Sequence, residues 1–137
     1  MFRTIICVIG LVILLPVNAS AEQSSTPTST VLVQGTASWD GIAYGQYPKG
    51  TPQLTVTRIV IPANTSLRWH RHPMPSAAYV VKGSLQVIKQ ATGERQSFST
   101  GDAVLEVMDT THQGVTGAEA VELIVFYAGT AGLPVFQ

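Results

Sequence analysis

From residue 31 onward, short apolar runs alternate with clusters of turn-forming residues, the rhythm of an all-β domain. The pattern predicts strands over residues 31–34, 54–61, 66–70, 77–81, 85–89, 96–98, 103–107, 114–115 and 121–127. The breaks fall at Pro48-Lys49-Gly50, Pro62-Ala63-Asn64, Lys82-Gly83, Thr92-Gly93-Glu94, Gly101-Asp102 and Gly117. Proline presets φ at such points, while glycine and asparagine tolerate the left-handed conformation. No segment sustains a 3.6-residue period between polar caps, so no long helix is expected. Many short strands have many edges to manage, which favours a closed barrel or a double-sheet jelly roll over an open sheet.

The start of the chain follows a different pattern. Met1-Phe2-Arg3 is positively charged, Ile5 to Val17 is apolar, and Ala19-Ser20-Ala21 is the small-x-small sequence that signal peptidase cuts after. The run is shorter than the roughly 20 apolar residues of a spanning helix. Cys7 lies inside the run rather than just after it, which argues against a lipid anchor. Residues 1–21 are therefore expected to be a signal peptide cleaved before Glu22, giving a periplasmic or secreted protein. Residues 22–30 (EQSSTPTST) have nothing to bury and read as a flexible leader. Removing residues 1–21 from the 137 leaves 116, enough for one domain, placed at residues 31–137.

Charge narrows the partners. Of eight basic residues only Arg3 would be lost on cleavage, leaving seven against eight acidic ones. A nearly neutral chain without a basic run has no electrostatic footprint for nucleic acid or an anionic membrane, and neither partner is expected after signal cleavage. The only cysteine, Cys7, would leave with the signal, so no disulfide can staple the domain. Stability must then come from the core and from any bound metal.

The chemistry concentrates in three histidines. On a strand, His70 and His72 point to the same face, and His112 lies forty residues further on. Imidazole suits zinc, copper, iron and nickel, and three convergent imidazoles make a metal site with an open position. The bland alternative is three unconnected histidines on loops or on the surface.

The surrounding residues favour the first reading. The stretch from His70-Arg71-His72 through Ser76 to Gly83 resembles the first motif of the cupin superfamily, an HxH followed by a glutamate and, six residues later, a glycine. The stretch from Gly101-Asp102 to His112 resembles the second, a glycine leading through a strand and a turn to a histidine. The likeness covers roughly residues 54–127 and points to small, secreted, single-domain cupins of the conserved-barrel type. It implies a jelly-roll β-barrel with His70, His72 and His112 as metal ligands around one divalent ion (iron, zinc, nickel, copper or manganese). It also implies a small-molecule substrate or ligand and pairing as a homodimer.

Two positions depart from the motifs. Ser76 stands where the family has its glutamate ligand, and Val107 and Asp109 replace a proline and a glycine. Restoring the carboxylate at Ser76 is expected to tighten metal binding if the site is otherwise intact. Asp109 can still take a left-handed turn conformation. Glu106 is a possible substitute for the missing carboxylate, as fourth ligand or as a catalytic general base. Alternation puts Val104, Glu106 and Met108 on one face and Ala103, Leu105 and Val107 on the other. The substitute role needs the first set to face the cavity. Otherwise Glu106 is a solvated charge, and the rarity of unpaired buried glutamates favours that placement.

The remaining residues speak less clearly. Trp69, Met74, Tyr79, Phe98, Phe126 and Tyr127 read mostly as core, with Tyr79 the best placed to reach a pocket. Arg68 and Arg71 alternate away from the histidines, toward the outer face or an oligomer contact. Gly83 and Gly101 read as turn glycines, and Trp39, Asp40 and Tyr44 carry no readable signal. The functional alternatives are a metal-dependent enzyme of oxygenase or isomerase type, a non-catalytic ligand- or metal-binding module, and a structural cupin with an empty site.

Overall fold

The computed structural model describes residues 26–137. The expected signal peptide, and the first part of the leader, lie outside the described residues. Seven strands follow in order: β1 Pro52–Ile61, β2 Ser76–Lys82, β3 Ser84–Lys89, β4 Arg95–Ser99, β5 Ala103–Leu105, β6 His112–Thr116 and β7 Val121–Thr130. There is no α-helix among the described residues, and thus none long and apolar enough to cross a membrane.

The strands form two antiparallel sheets. One has the order β1-β7-β2-β5 and the other the order β4-β3-β6. Each sheet turns an apolar face inward, as the burial of β7 shows: Val121, Leu123, Val125 and Tyr127 are buried, while Glu122, Ile124 and Phe126 between them are not. Ile61, Met74, Val80, Leu85 and Val104 join them in one core. Gly83 turns the corner between the sheets at φ 86°, with Ala120 O standing against the place where a Cβ would sit. Any side chain there would be both strained and obstructed.

Two expected strands are absent. Residues 31–34 run extended and exposed without joining a sheet. Residues 66–70 make only isolated bridges, Ser66 with Val115 and His70 with His112. The break follows from what this segment must do. A regular strand would carry it straight along β6, whereas His72 instead bridges Met108 in parallel. β5 stops at Leu105, two residues short of the expected end, where Glu106 donates its N–H to Ser76 O.

Candidate metal centre

The HxH segment and the start of β6 bring the histidines together through the backbone. His70 and His112 exchange both main-chain hydrogen bonds, at 3.0 and 2.8 Å, so their side chains stand side by side. Asp109 N–H donates to His72 O at 2.9 Å, which ties the turn before β6 to the third histidine. Asp109 takes φ 51°, the left-handed turn position expected of it. Met74, two residues past His72, has no exposed surface and anchors the motif in the core. Replacing it by alanine is expected to cost about 2–5 kcal/mol.

The imidazole centroids lie 4.5, 5.0 and 5.1 Å apart, and one ligand nitrogen from each ring falls within 4.8 Å of the others. In a tetrahedral zinc site, ligand nitrogens about 2.0–2.1 Å from the ion stand roughly 3.4 Å apart, so the rings need only a modest contraction to share an ion. Each Nδ1 sits against a main-chain carbonyl: His70 on Arg68 O at 2.8 Å, His72 on Val135 O at 2.7 Å and His112 on Thr110 O at 2.8 Å. A carbonyl only accepts, so each Nδ1 carries the proton and each Nε2 is left with a free lone pair. Burial pushes His70 below the usual histidine range and His112 down to about 4. Those two rings are therefore neutral at pH 7, as ligation requires.

Glu106 is not a solvated charge. Its side chain is 19% exposed and turns inward with Val104; Val107 faces the same cavity, so strict alternation ends with β5 at Leu105. The Ser76 hydroxyl donates to Glu106 Oε2 at 2.7 Å, and the same oxygen lies 3.6 Å from His72 Nε2. Pairing with a neighbour's hydroxyl is what makes burial tolerable. The carboxylate that the motif would carry at position 76 thus arrives from residue 106, beside it across the β2–β5 pair. With Nδ1 protonated, His72 Nε2 and Glu106 Oε2 are two acceptors facing each other. A cation between them, or a proton on Nε2, relieves that opposition. This donor set fits a metal ion.

The site is tight. His72 and His112 are 3% and 4% exposed, whereas His70 is half-buried and marks the open side. Behind His112 and Glu106 lies an enclosed void of only about 20 Å³, walled by apolar residues such as Val80, Leu85 and Leu123. It has room for about one water. A larger groove of about 350 Å³ runs between the outer face of the first sheet and the segment before β1, lined by Tyr44, Tyr47, Ala77, Leu105 and Phe126. Tyr79 is exposed on that outer face and does not reach the cavity.

Residues without a readable signal turn out to hold the site. Tyr44 donates its hydroxyl to Glu106 O at 2.6 Å, and burial together with the Glu106 charge raises its pKa to about 12, so it stays a donor. Tyr127 packs 5.3 Å from the His72 ring and is pushed up to about 12 for the same two reasons. Trp39 N–H donates to Leu105 O, and its ring meets Phe98 edge-on at 6.3 Å. Asp40 accepts from Lys89 Nζ at 2.6 Å, and Lys89 pairs with His112 in the β3–β6 ladder. Arg71 is exposed, and its guanidinium donates to Gln137 Oε1 at 2.9 and 3.2 Å. Apart from the Lys89–His112 strand pairing, each of these links spans 49 residues or more, so no local motif announces them.

No protein-family model and no curated protein sequence matches the chain. Solved structures do. The DMSP lyase DddQ of Ruegeria pomeroyi DSS-3 superposes with a TM-score of 0.53 at 17% identity, over 59% of this chain and 41% of that one. The polyketide cyclase RemF of Streptomyces resistomycificus gives 0.53 at 21% identity, over 61% and 58%. A cupin 2 conserved barrel domain protein of Salinispora arenicola CNS-205 gives 0.51 at 19% identity, over 64% and 72%. The chain therefore spans less than two thirds of the lyase and of the cyclase. At such identities the likeness is one of fold. Two antiparallel sheets closed over one core, a histidine cluster at the seam and these shared shapes lead to one conclusion: the chain has the cupin fold.

Proposed function

We propose that this protein is an exported cupin that holds one divalent metal through His70, His72 and His112, with Glu106 as fourth ligand or as base. The observation that carries the proposal is the set of three Nδ1–carbonyl hydrogen bonds, which leaves three lone pairs free to converge. When bound, the ion would supply Lewis acidity or, as iron, oxygen chemistry. The chain's own residues do the rest. The three carbonyls fix the ring tautomers, and Ser76 and Tyr44 hold Glu106 by side chain and main chain. A small molecule would enter from the His70 side. Glu106 would take or return its proton there, within reach of the same ion.

The experiment is elemental analysis of protein purified from the exported fraction, with His70→Ala, His72→Ala and His112→Ala alongside. About one equivalent of metal in the wild type and its loss in each variant is expected. Equal metal content in all four ends the proposal. The small void favours a second reading, a metal-binding module without turnover. Azide added to cobalt-substituted protein separates the two: a changed visible spectrum means an open position, an unchanged one supports the module.

Export rests on residues 1–21, and intact-mass measurement should find the chain beginning at Glu22. Dimerisation is supported by the outer face of the first sheet, where Leu54, Val56 and Val60 are 57–66% exposed. On that face Arg58 and Glu122 already pair at 2.7 Å, with Lys82 opposite Glu122 in the β2–β7 register.

A further inference from the structure

The three histidines are not held alike. His70 and His112 take their carbonyl partners from two residues back, Arg68 and Thr110, so forming the local backbone suffices to orient them. His72 takes its partner, Val135, from 63 residues away. That carbonyl lies in the segment after β7, which Gly132 turns out of the strand at φ 83°. The segment belongs to no strand. Leu133 and Val135 pack on the core, Leu133 N–H donates to Thr130 O, and Gln137 exchanges both main-chain hydrogen bonds with Arg71 at 3.0 Å. The Arg71 guanidinium then grips the Gln137 side chain.

We infer that residues 133–137 are a strap whose docking sets the tautomer and orientation of His72, so that metal binding and strap docking strengthen each other. The inference rests on the metal-site reading above and adds a positioning element to it. With the strap lifted, His72 Nδ1 loses its acceptor, and nothing else among its hydrogen bonds favours the tautomer that frees Nε2. Losing such a partner typically costs 10–100-fold in metal affinity. Linkage requires the reverse effect to be equal: a bound ion must favour the docked strap by the same factor. The strap is therefore a natural point of control, since whatever displaces Gln137 from Arg71 loosens the metal without touching a ligand.

Zinc is the probe. Three variants separate carbonyl from packing: deletion of residues 135–137, the pair Arg71→Ala with Gln137→Ala, and Val135→Ala, which keeps the carbonyl but loses side-chain packing. Zinc affinity is measured by competition with a chromogenic chelator, and the stability of each apo protein by urea unfolding. The deletion should weaken zinc binding about 10–100-fold, and the paired variant by a part of that. Val135→Ala should lower stability yet keep zinc affinity within about threefold, which a merely structural role would not allow. In the wild type, zinc should slow hydrogen exchange at the Gln137 and Arg71 amides by about tenfold or more. A folded deletion variant with wild-type zinc affinity overturns the inference. So does amide exchange that zinc leaves unchanged, and this decides the matter if the deletion does not fold. Wild-type protein that takes up no zinc fails at the earlier step, refuting the metal site and the strap together.

Discussion

Replacing Glu106 by glutamine isolates one charge, because the side chain keeps its length and its reach to Ser76. In the wild type, Oε2 accepts from the Ser76 hydroxyl at 2.7 Å and stands 3.6 Å from His72 Nε2. A hydrogen bond to a charged group contributes about 1.5–3 kcal/mol and a neutral one about 1, so the apo fold should lose on the order of 1 kcal/mol. The effect on metal should be larger. Two unit charges 4 Å apart interact by about 4 kcal/mol at an effective dielectric of 20, and a divalent ion doubles the attraction before desolvation is subtracted. A net loss near 3 kcal/mol, or about a hundredfold in zinc affinity, is the expected remainder. Glu106→Ala provides the contrast, since it also strands the buried Ser76 hydroxyl and should cost the apo fold about 1–3 kcal/mol. Chelator competition reads the affinity and urea unfolding of the apo proteins reads the fold. Zinc binding within about threefold of wild type in a well-folded Glu106→Gln protein would refute the reasoning and leave a site of histidines alone.

The same geometry reverses the expectation for position 76. Ser76→Glu should weaken rather than tighten metal binding, because Glu106 already fills the carboxylate's place and like charges would be crowded together; adding Glu106→Ser should restore affinity, and a tighter-binding single variant would count against the exchange. Acid should weaken the metal-free fold. His112 titrates at about 4 in the fold against about 6.5 in the unfolded chain, so between those values the unfolded chain binds the extra proton and stability falls as pH drops, by roughly 3 kcal/mol at most. The loss should be complete near pH 4 and absent above 6.5, and His112→Gln should show less of it in urea titrations. Identical slopes in the two proteins would contradict this. Val56→Lys places a charge on the exposed outer face and should shift sedimentation from dimer to monomer; an unchanged sedimentation profile would move the interface elsewhere.

Much of this architecture is legible along the chain, and the illegible parts share a cause. The strands that matched expectation, such as β3 and β7, are apolar runs closed off by Gly83, Gly93 or Gly117, where local conformation and burial agree. The two that failed, residues 31–34 and 66–70, have strand-like composition but lack the continuous ladder that makes a strand. Pairing is a property of neighbours, and composition does not report it. Glu106 was ambiguous for a similar reason. Both faces of residues 103–108 are apolar, so a period of two could not say which one turns inward.

The sequence by itself determined an all-β domain with His70 and His72 on one face, because alternation, turn residues and the HxH spacing act over a few residues; His112 was joined to them by the motif resemblance alone. Only the tertiary structure decided what surrounds them. Glu106 lies against the Ser76 hydroxyl, Tyr44 holds its main chain from 62 residues away, and Val135 accepts from His72 across 63. Those links join segments that meet only once both sheets have closed. A hydrogen bond to a main-chain carbonyl leaves no mark on the residue that supplies it, since every residue has one. The candidate ligands are therefore written in side chains, and the parts that hold them in place are written in the fold.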